Sequence, residues 1–226
     1  GISKAAFHRK LSSGGNVDLT TGCNLDHPEV QKALFHYLDT CYVLVTILEP
    51  NCRSVGKLSN LNAIKYHDTW RRHHEEDLPH IRFCGKVALR QRSYGRHWLR
   101  EQPEGSWIDD IAPWDEVSRQ PGVVACLMDQ CMGGCKDDEG VAVRKRTEWK
   151  GSHEALLTSF RKMQCDGTHH HANPTGTQLE KLKHYPPGVC NAVVDGIIAL
   201  KQHITLHAYP SVDVGTGPSD PPVEPE

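Results

Sequence analysis

The pattern of apolar and polar positions along the chain first indicates a set of short strands. The run YVLVTIL, residues 42–48, is apolar without interruption and rich in β-branched residues, which is typical of a strand buried on both faces. Four further segments have strand-like patterns: NVDLTT (16–21), RHWLREQ (96–102), GVVACLMD (122–129) and VAVRKRTEW (141–149). We expect YVLVTIL to lie in the centre of a sheet, with RHWLREQ beside it.

Helical spacing of apolar residues marks most of the segments between these strands. The predicted helices are ISKAAFHRKL (2–11), DHPEVQKALFHYLD (26–39), a long charged segment from Thr69 to about Tyr94, and YPPGVCNAVVDGIIALKQHI (185–204). Asp26 is expected to act as an N-cap, with Pro28 in the first turn. Pro79 is expected to kink or split the long helix, because proline lacks the N–H that a helix interior needs.

Strands that alternate with helices predict an α/β fold with a doubly wound, mostly parallel sheet of the Rossmann-like methyltransferase type. Such a domain usually opens with a strand and a glycine-rich turn, whereas here a helical pattern begins directly after Gly1. We therefore expect the first strand to be missing, or to lie in a preceding segment of a longer polyprotein. The domain is expected to span residues 1–201, and residues 202–226, rich in Pro, Gly and acidic side chains, are expected to form a disordered tail.

Composition and charge exclude several classes of protein. The 226 residues carry 26 Lys and Arg against 28 Asp and Glu, a net charge of −2, so the chain is not a strongly basic nucleic-acid-binding domain. An apolar run of about 18 residues is absent, and so is a signal peptide, which argues against a membrane protein. Nine cysteines without framework spacing predict reduced thiols in an intracellular protein, nuclear or cytoplasmic.

Four short motifs follow one another along the chain: VDL (17–19), PNC (50–52), REQPEGS (100–106) and RKRT (144–147). In this order they resemble the DNA cytosine-5 methyltransferase family, which has a Pro-Cys nucleophile loop, a Glu-Asn strand end and a later basic strand. The part from DQCMGG to YPPGVC (129–190) looks more like methylase-like domains of phages and retroelement polyproteins. The resemblance covers about residues 1–200 and rests on the order of the motifs.

The resemblance implies a set of site residues and partners. Cys52 would be the nucleophile that adds to carbon 6 of cytosine, and Glu101 would protonate or hydrogen-bond the ring nitrogen. Arg144 and Arg146 would hold the cytosine oxygen or the phosphates of DNA, the nucleic-acid partner, whose base must be flipped out of the duplex. S-adenosylmethionine would be the methyl donor. Asp18 would bind its ribose, and Gly1 would be the last glycine of the donor-binding turn.

The chain also departs from the family pattern, and this leaves a second interpretation open. The nucleophile loop has a single proline two residues before the cysteine, and Gln102 stands where the family has asparagine. The glycine-rich donor-binding turn is absent apart from Gly1. A lone cysteine is most often a small buried residue, and a basic run such as RKRT is most often a solvated edge. The alternative is a catalytically inactive module with the same fold that binds nucleic acid or a protein partner, stabilised by zinc.

A group of cysteines and histidines predicts a metal site independently of the resemblance. Cys131 and Cys135 follow a predicted strand, and one later loop contains Cys165 and the run His169 to His171. Thiolates together with imidazoles suit tetrahedral zinc. The preferred ligands are Cys131, Cys165, His169 and His171, with Cys135 as a substitute. Solvent-exposed histidines without a metal are the alternative for this loop.

Overall fold

A computed structural model describes residues 1–173 and 182–208. The helices are α1 (Ile2–His8), α2 (Pro28–Thr40), α3 (Ser59–Lys65), α4 (His67–Ser93), α5 (Trp114–Ser118) and α6 (Pro187–Ala208). The strands are β1 (Val45–Leu48), β2 (His97–Pro103), β3 (Val124–Asp129) and β4 (Arg146–Gly151). Across the described ranges, no helix combines the length and the apolar character that a membrane crossing would need.

The four strands form one mixed sheet in the order β1-β2-β4-β3. The predicted α/β class is confirmed, but the predicted mostly parallel, doubly wound sheet is not. Only β1 and β2 run parallel, whereas β4 is antiparallel to both β2 and β3. The connections explain this difference, because α3 and α4 provide the long crossover that parallel neighbours require. The link from β3 to β4 contains a single 3₁₀ turn, Gln130–Gly133, and returns the chain in the opposite direction.

The prediction that RHWLREQ pairs beside YVLVTIL is confirmed, with Val45 opposite His97 and Leu48 opposite Arg100. The prediction of a central position for YVLVTIL is wrong, because β1 lies at one edge of the described sheet. Its apolar residues are nevertheless covered on both faces. Leu48 belongs to the apolar cluster that contains residues of α4, and Ile47 packs against the cluster that contains residues of α6. Burial on both faces therefore does not require a central strand.

Alternation along β2 divides the core between the two faces of the sheet. Trp98 packs with Phe83 and Trp114 in the cluster that contains α4, and the next residue, Leu99, packs with Trp149 in the cluster that contains α6. All five of these side chains are almost completely buried. The two clusters fix the sheet between the helices and so hold the carboxyl end of β2, where the candidate site lies.

Three local predictions need correction. NVDLTT is not a strand but leads into a 3₁₀ turn, Leu19–Thr21, because the Asp18 carboxylate caps the turn and accepts hydrogen bonds from Thr20 and Thr21. The N-cap of α2 is His27 rather than Asp26. Pro79 does not split α4, which runs unbroken through it and buries apolar side chains beyond it.

The predicted boundary at residue 201 falls inside a helix, since α6 continues to Ala208. The rest of the predicted tail, residues 209–226, lies outside the described residues, as do residues 174–181 at the end of the predicted histidine loop.

Candidate metal centre and acid–thiol site

The four side chains predicted as metal ligands lie together beyond the end of β3. The ligand atoms of Cys131, Cys165, His169 and His171 are all within 4.8 Å of one another. The Sγ atom of Cys165 is 3.4 Å from Nε2 of His171 and 3.7 Å from Nε2 of His169. Two thiols and two imidazoles at these separations can bind one metal ion.

Glycines shape the turn that presents Cys131. The 3₁₀ turn Gln130–Gly133 ends at Gly134, whose φ of 90° lies in the left-handed region that glycine adopts without strain. Gly133 packs directly on Gly188 in the first turn of α6. A Cβ atom at Gly188 would lie only 2.7 Å from the Cα atom of Gly133. The absence of side chains at these two positions therefore lets α6 approach the turn that presents Cys131.

A buried carboxylate, Asp129, holds the second ligand segment in place. Its Oδ2 accepts a hydrogen bond from the backbone N–H of Cys165 at 2.9 Å, and its Oδ1 accepts one from Nε of Arg144 at 3.0 Å. The backbone N–H of Gly167 points to the Sγ atom of Cys165 at 3.3 Å. An N–H group in this position stabilises a thiolate, so the environment of Cys165 suits a metal-bound sulfur.

The ionisation of the ligands makes metal binding depend on pH. Burial, together with the neighbouring Cys165, raises the pKa of Cys131 to about 11. Burial, together with the neighbouring His169 and Arg144, lowers the pKa of His171 and favours the neutral imidazole that metals bind. Cys131 is therefore a thiol at neutral pH in the absence of metal, and a metal must displace its proton. Metal affinity should consequently increase with pH.

Cys135, the substitute ligand, lies outside this cluster. It is buried in a small apolar group with Val143 and Leu182. Its backbone N–H donates to the carbonyl of Gln130, and its carbonyl accepts from Val143. Cys135 thus packs under the turn that presents Cys131.

A second cluster lies at the carboxyl ends of the parallel strands β1 and β2. Cys52 follows β1 by four residues and Glu101 lies near the end of β2, so the two were predicted to face one cleft. Cys52 is solvent-accessible as a residue, but its thiol lies among enough protein atoms that desolvation raises its pKa. The Glu101 carboxylate raises it further, while the Lys145 ammonium lowers it.

Glu101 has the most unusual acidity at this edge. Desolvation raises its pKa to about 7, and the favourable charge of Lys145 offsets only part of this effect. The nearby Glu49 carboxylate adds to the increase. Glu101 therefore keeps a protonated fraction near neutral pH, which is the state that a general acid needs.

Sequence reasoning missed three residues of this cluster: Glu49, Lys145 and Tyr185. The Tyr185 hydroxyl hydrogen-bonds to the carboxylate of Glu49, and desolvation raises the pKa of both groups. Glu49 stands immediately before the Pro-Asn-Cys motif, and Lys145 lies inside the RKRT motif. These positions were therefore visible in the sequence. Tyr185, in the HYPPG segment before α6, has no comparable signal.

Other predicted site residues have different partners. Arg144 pairs with Asp129, and Nε of Arg146 lies 3.4 Å from Glu104, so both guanidinium groups interact with carboxylates of this chain. Asp18 uses its carboxylate to cap a turn. Gly1 is the N-cap of α1. The geometry at Asp18 and Gly1 does not support the predicted site for S-adenosylmethionine.

No protein-family model, curated protein or solved structure matches the chain. The chemistry of the two clusters therefore carries the functional assignment.

Proposed function

We propose that the carboxyl edge of β1 and β2 is an active site that acts on a pyrimidine ring, with Cys52 as the nucleophile and Glu101 as the acid. Cys52 would first lose its proton to solvent, and the thiolate sulfur would form a bond to carbon 6 of the ring, while Glu101 would transfer its proton to the ring nitrogen as electrons move there. The products of this step are a neutral covalent adduct and a Glu101 carboxylate. Cytosine in DNA as the substrate, and S-adenosylmethionine as a methyl donor, are predictions from the resemblance alone.

The observation that carries this proposal is that Cys52 and Glu101 lie at the carboxyl ends of the neighbouring parallel strands β1 and β2, where burial raises the pKa of Glu101 to about 7. An ordinary carboxylate at this position would be ionised, would repel the Cys52 thiolate and would have no proton to donate. Protonated Glu101 removes that repulsion and supplies the proton that the adduct needs. The nearby Lys145 and the hydrogen-bonded pair of Glu49 and Tyr185 provide both donors and acceptors around Glu101, which suits a flat polar ring.

Covalent trapping tests the proposal. A single-stranded DNA oligonucleotide with 2-pyrimidinone in place of cytosine accepts a thiol at carbon 6 without a methyl donor, and intact-protein mass spectrometry detects the adduct. We expect one adduct, located at Cys52, and none in Cys52→Ser. Cys41→Ser is the matched control, because Cys41 is also exposed, and it should form the adduct as the wild type does. Labelling that is equal in both variants, or no labelling of the wild type, would refute the role of Cys52.

We further propose that the ion held by Cys131, Cys165, His169 and His171 is zinc and that its role is structural. Two thiolates and two imidazoles form a complete tetrahedral set for this metal, which leaves no open position for a reacting group. The same zinc site would also be present under the alternative interpretation, in which the protein is a catalytically inactive binding module stabilised by zinc. Elemental analysis should find about one equivalent of zinc per chain, and failure of the trapping test in zinc-loaded protein would favour that alternative.

A further inference from the structure

The segment between β3 and β4 contacts both clusters. It begins at Gln130, directly after Asp129, contains Cys131, and ends at Lys145, immediately before β4. Because β4 runs antiparallel to β2, with Thr147 opposite Pro103, the residue before β4 lies at the carboxyl edge of β2. Lys145 is therefore placed beside the acid–thiol site by the strand register.

The backbone at Lys145 is held in an unfavourable conformation. Its φ of 26° lies on the left-handed side, which residues with a Cβ atom rarely adopt. Such a conformation persists only where the surroundings impose it. The carbonyl of Lys145 accepts hydrogen bonds from the Thr147 hydroxyl at 3.1 Å and from the backbone N–H of Gln130 at 3.3 Å. The ammonium group is fixed as well, since it donates to the carbonyl of Leu182 at 2.9 Å.

The contacts that hold this segment come from the metal-binding parts of the chain. Gln130, which also donates to the carbonyl of Arg144 at 2.8 Å, directly precedes the ligand Cys131. The backbone N–H of Ala172, directly after the ligand His171, donates to the carbonyl of Ala142 at 2.9 Å. Asp129 joins the Cys165 backbone to Arg144, the neighbour of Lys145. The Cys131 turn and the residue after His171 are thus hydrogen-bonded directly to residues 142–145, and the Cys165 backbone is linked to them through Asp129.

We infer that the metal centre positions the ammonium group of Lys145 at the acid–thiol site, so that metal occupancy controls the reactivity of Cys52. Lys145 is a positioning residue here, which acts through its charge on Cys52 and Glu101. The inference rests on the metal site and the acid–thiol pair of the proposed function. An ion bound by two thiolates and two neutral imidazoles has no net charge, so its direct field at Cys52 is small and Lys145 must transmit the effect.

The test measures the rate at which iodoacetamide alkylates Cys52 at pH 8, with peptide mass spectrometry to separate it from the other cysteines. The Lys145 charge lowers the pKa of Cys52, so its removal should lower the thiolate fraction. We expect Lys145→Met to slow alkylation about twofold, because loss of the charge lowers the thiolate fraction while the remaining thiolate becomes somewhat more nucleophilic. Lys145→Arg should keep most of the wild-type rate. Lys136→Met, at an exposed position of the same segment, is the control and should have no effect.

Removal of zinc by a chelator should slow alkylation of Cys52 in the wild type by a similar factor and should add nothing in Lys145→Met. Unfolding would instead remove the desolvation that raises the pKa of Cys52 and accelerate the reaction, so the sign separates the two effects. If circular dichroism shows that chelation unfolds the protein, the variant Arg144→Gln, loaded with zinc, is measured instead of the metal-free wild type. This variant breaks the contact with Asp129 and leaves the ligands intact, and it should also slow Cys52.

An unchanged rate in folded metal-free protein, or in Lys145→Met, would overturn the inference. If chelation unfolds the protein and Arg144→Gln is measured instead, an unchanged alkylation rate in that variant would also overturn the inference. Alkylation needs no nucleic acid, so its result is independent of the trapping test. A failed trapping test together with metal-dependent alkylation would refute the proposed reaction and leave the positioning role of the metal intact.

Discussion

Substitution of Glu101 by glutamine should remove a large part of the pH dependence of folding stability. The pKa of Glu101 is about 7 in the fold, against an ordinary value of 4.5. The folded protein therefore binds more protons than the unfolded chain between these values. The contribution of Glu101 to stability is fully present below about pH 4.5 and is lost as the pH increases through 7.

The size of this effect follows from the two pKa values. A pKa that changes from 4.5 to about 7 on folding corresponds to about 3 kcal/mol, the loss expected when the pH increases from below 4.5 to above 7. Glutamine has nearly the same shape and does not titrate. We compare the free energy of unfolding of Glu101→Gln with that of the wild type. The amount by which the variant exceeds the wild type should therefore be up to about 3 kcal/mol larger at pH 8 than at pH 4.5.

Urea unfolding at several pH values between 4.5 and 8 measures this difference directly. Glu116→Gln, an exposed glutamate in α5, is the matched control and should keep the wild-type pH dependence. Parallel stability curves for the wild type and Glu101→Gln across this range would refute the assigned acidity. They would also remove the proton donor on which the proposed reaction depends.

Two further predictions concern the metal centre. Cys165→Ala should abolish stoichiometric zinc binding and lower the melting temperature, because metal-binding energy at such a site is folding energy. Cys135→Ala should retain the metal, and elemental analysis of both variants checks this. Gly188→Ala should destabilise the protein by about 1–3 kcal/mol, because its Cβ would overlap the backbone of Gly133. Gly15→Ala, where a Cβ meets no atom within 4 Å, should be close to neutral in the same urea titration.

The sequence predicted those features that depend on local pattern and on residue chemistry. The pairing of β2 with β1 followed from two apolar runs joined by a long helical crossover. The metal ligands were predictable because the residue types that bind soft metals crowd one loop and one strand end. Asp18 was predicted wrongly for a local reason, since its carboxylate competes for nearby backbone N–H groups and forms a turn in place of a strand.

Strand order and the acidity of Glu101 could not be read from the sequence in this way. The uninterrupted apolar run of β1 indicates cover on both faces, which helices can supply to an edge strand as well as to a central one. The pKa of Glu101 depends on burial and on Glu49 and Lys145, residues that are separated from it by 52 and 44 positions respectively. Only the tertiary fold brings these charges together.

The antiparallel direction of β4 links the two clusters. In a mostly parallel sheet β4 would begin at the amino-terminal edge of β2, and Lys145 would lie at the far end from Cys52. In the observed sheet β4 runs back along β2, so its first residues lie beside the carboxyl end of β2. The connection that reverses the chain, residues 130–145, also contains the Cys131 turn. The antiparallel direction of β4, which departs from the predicted fold, therefore places the Lys145 ammonium group, held by contacts with the metal-ligand segments, at the acid–thiol site.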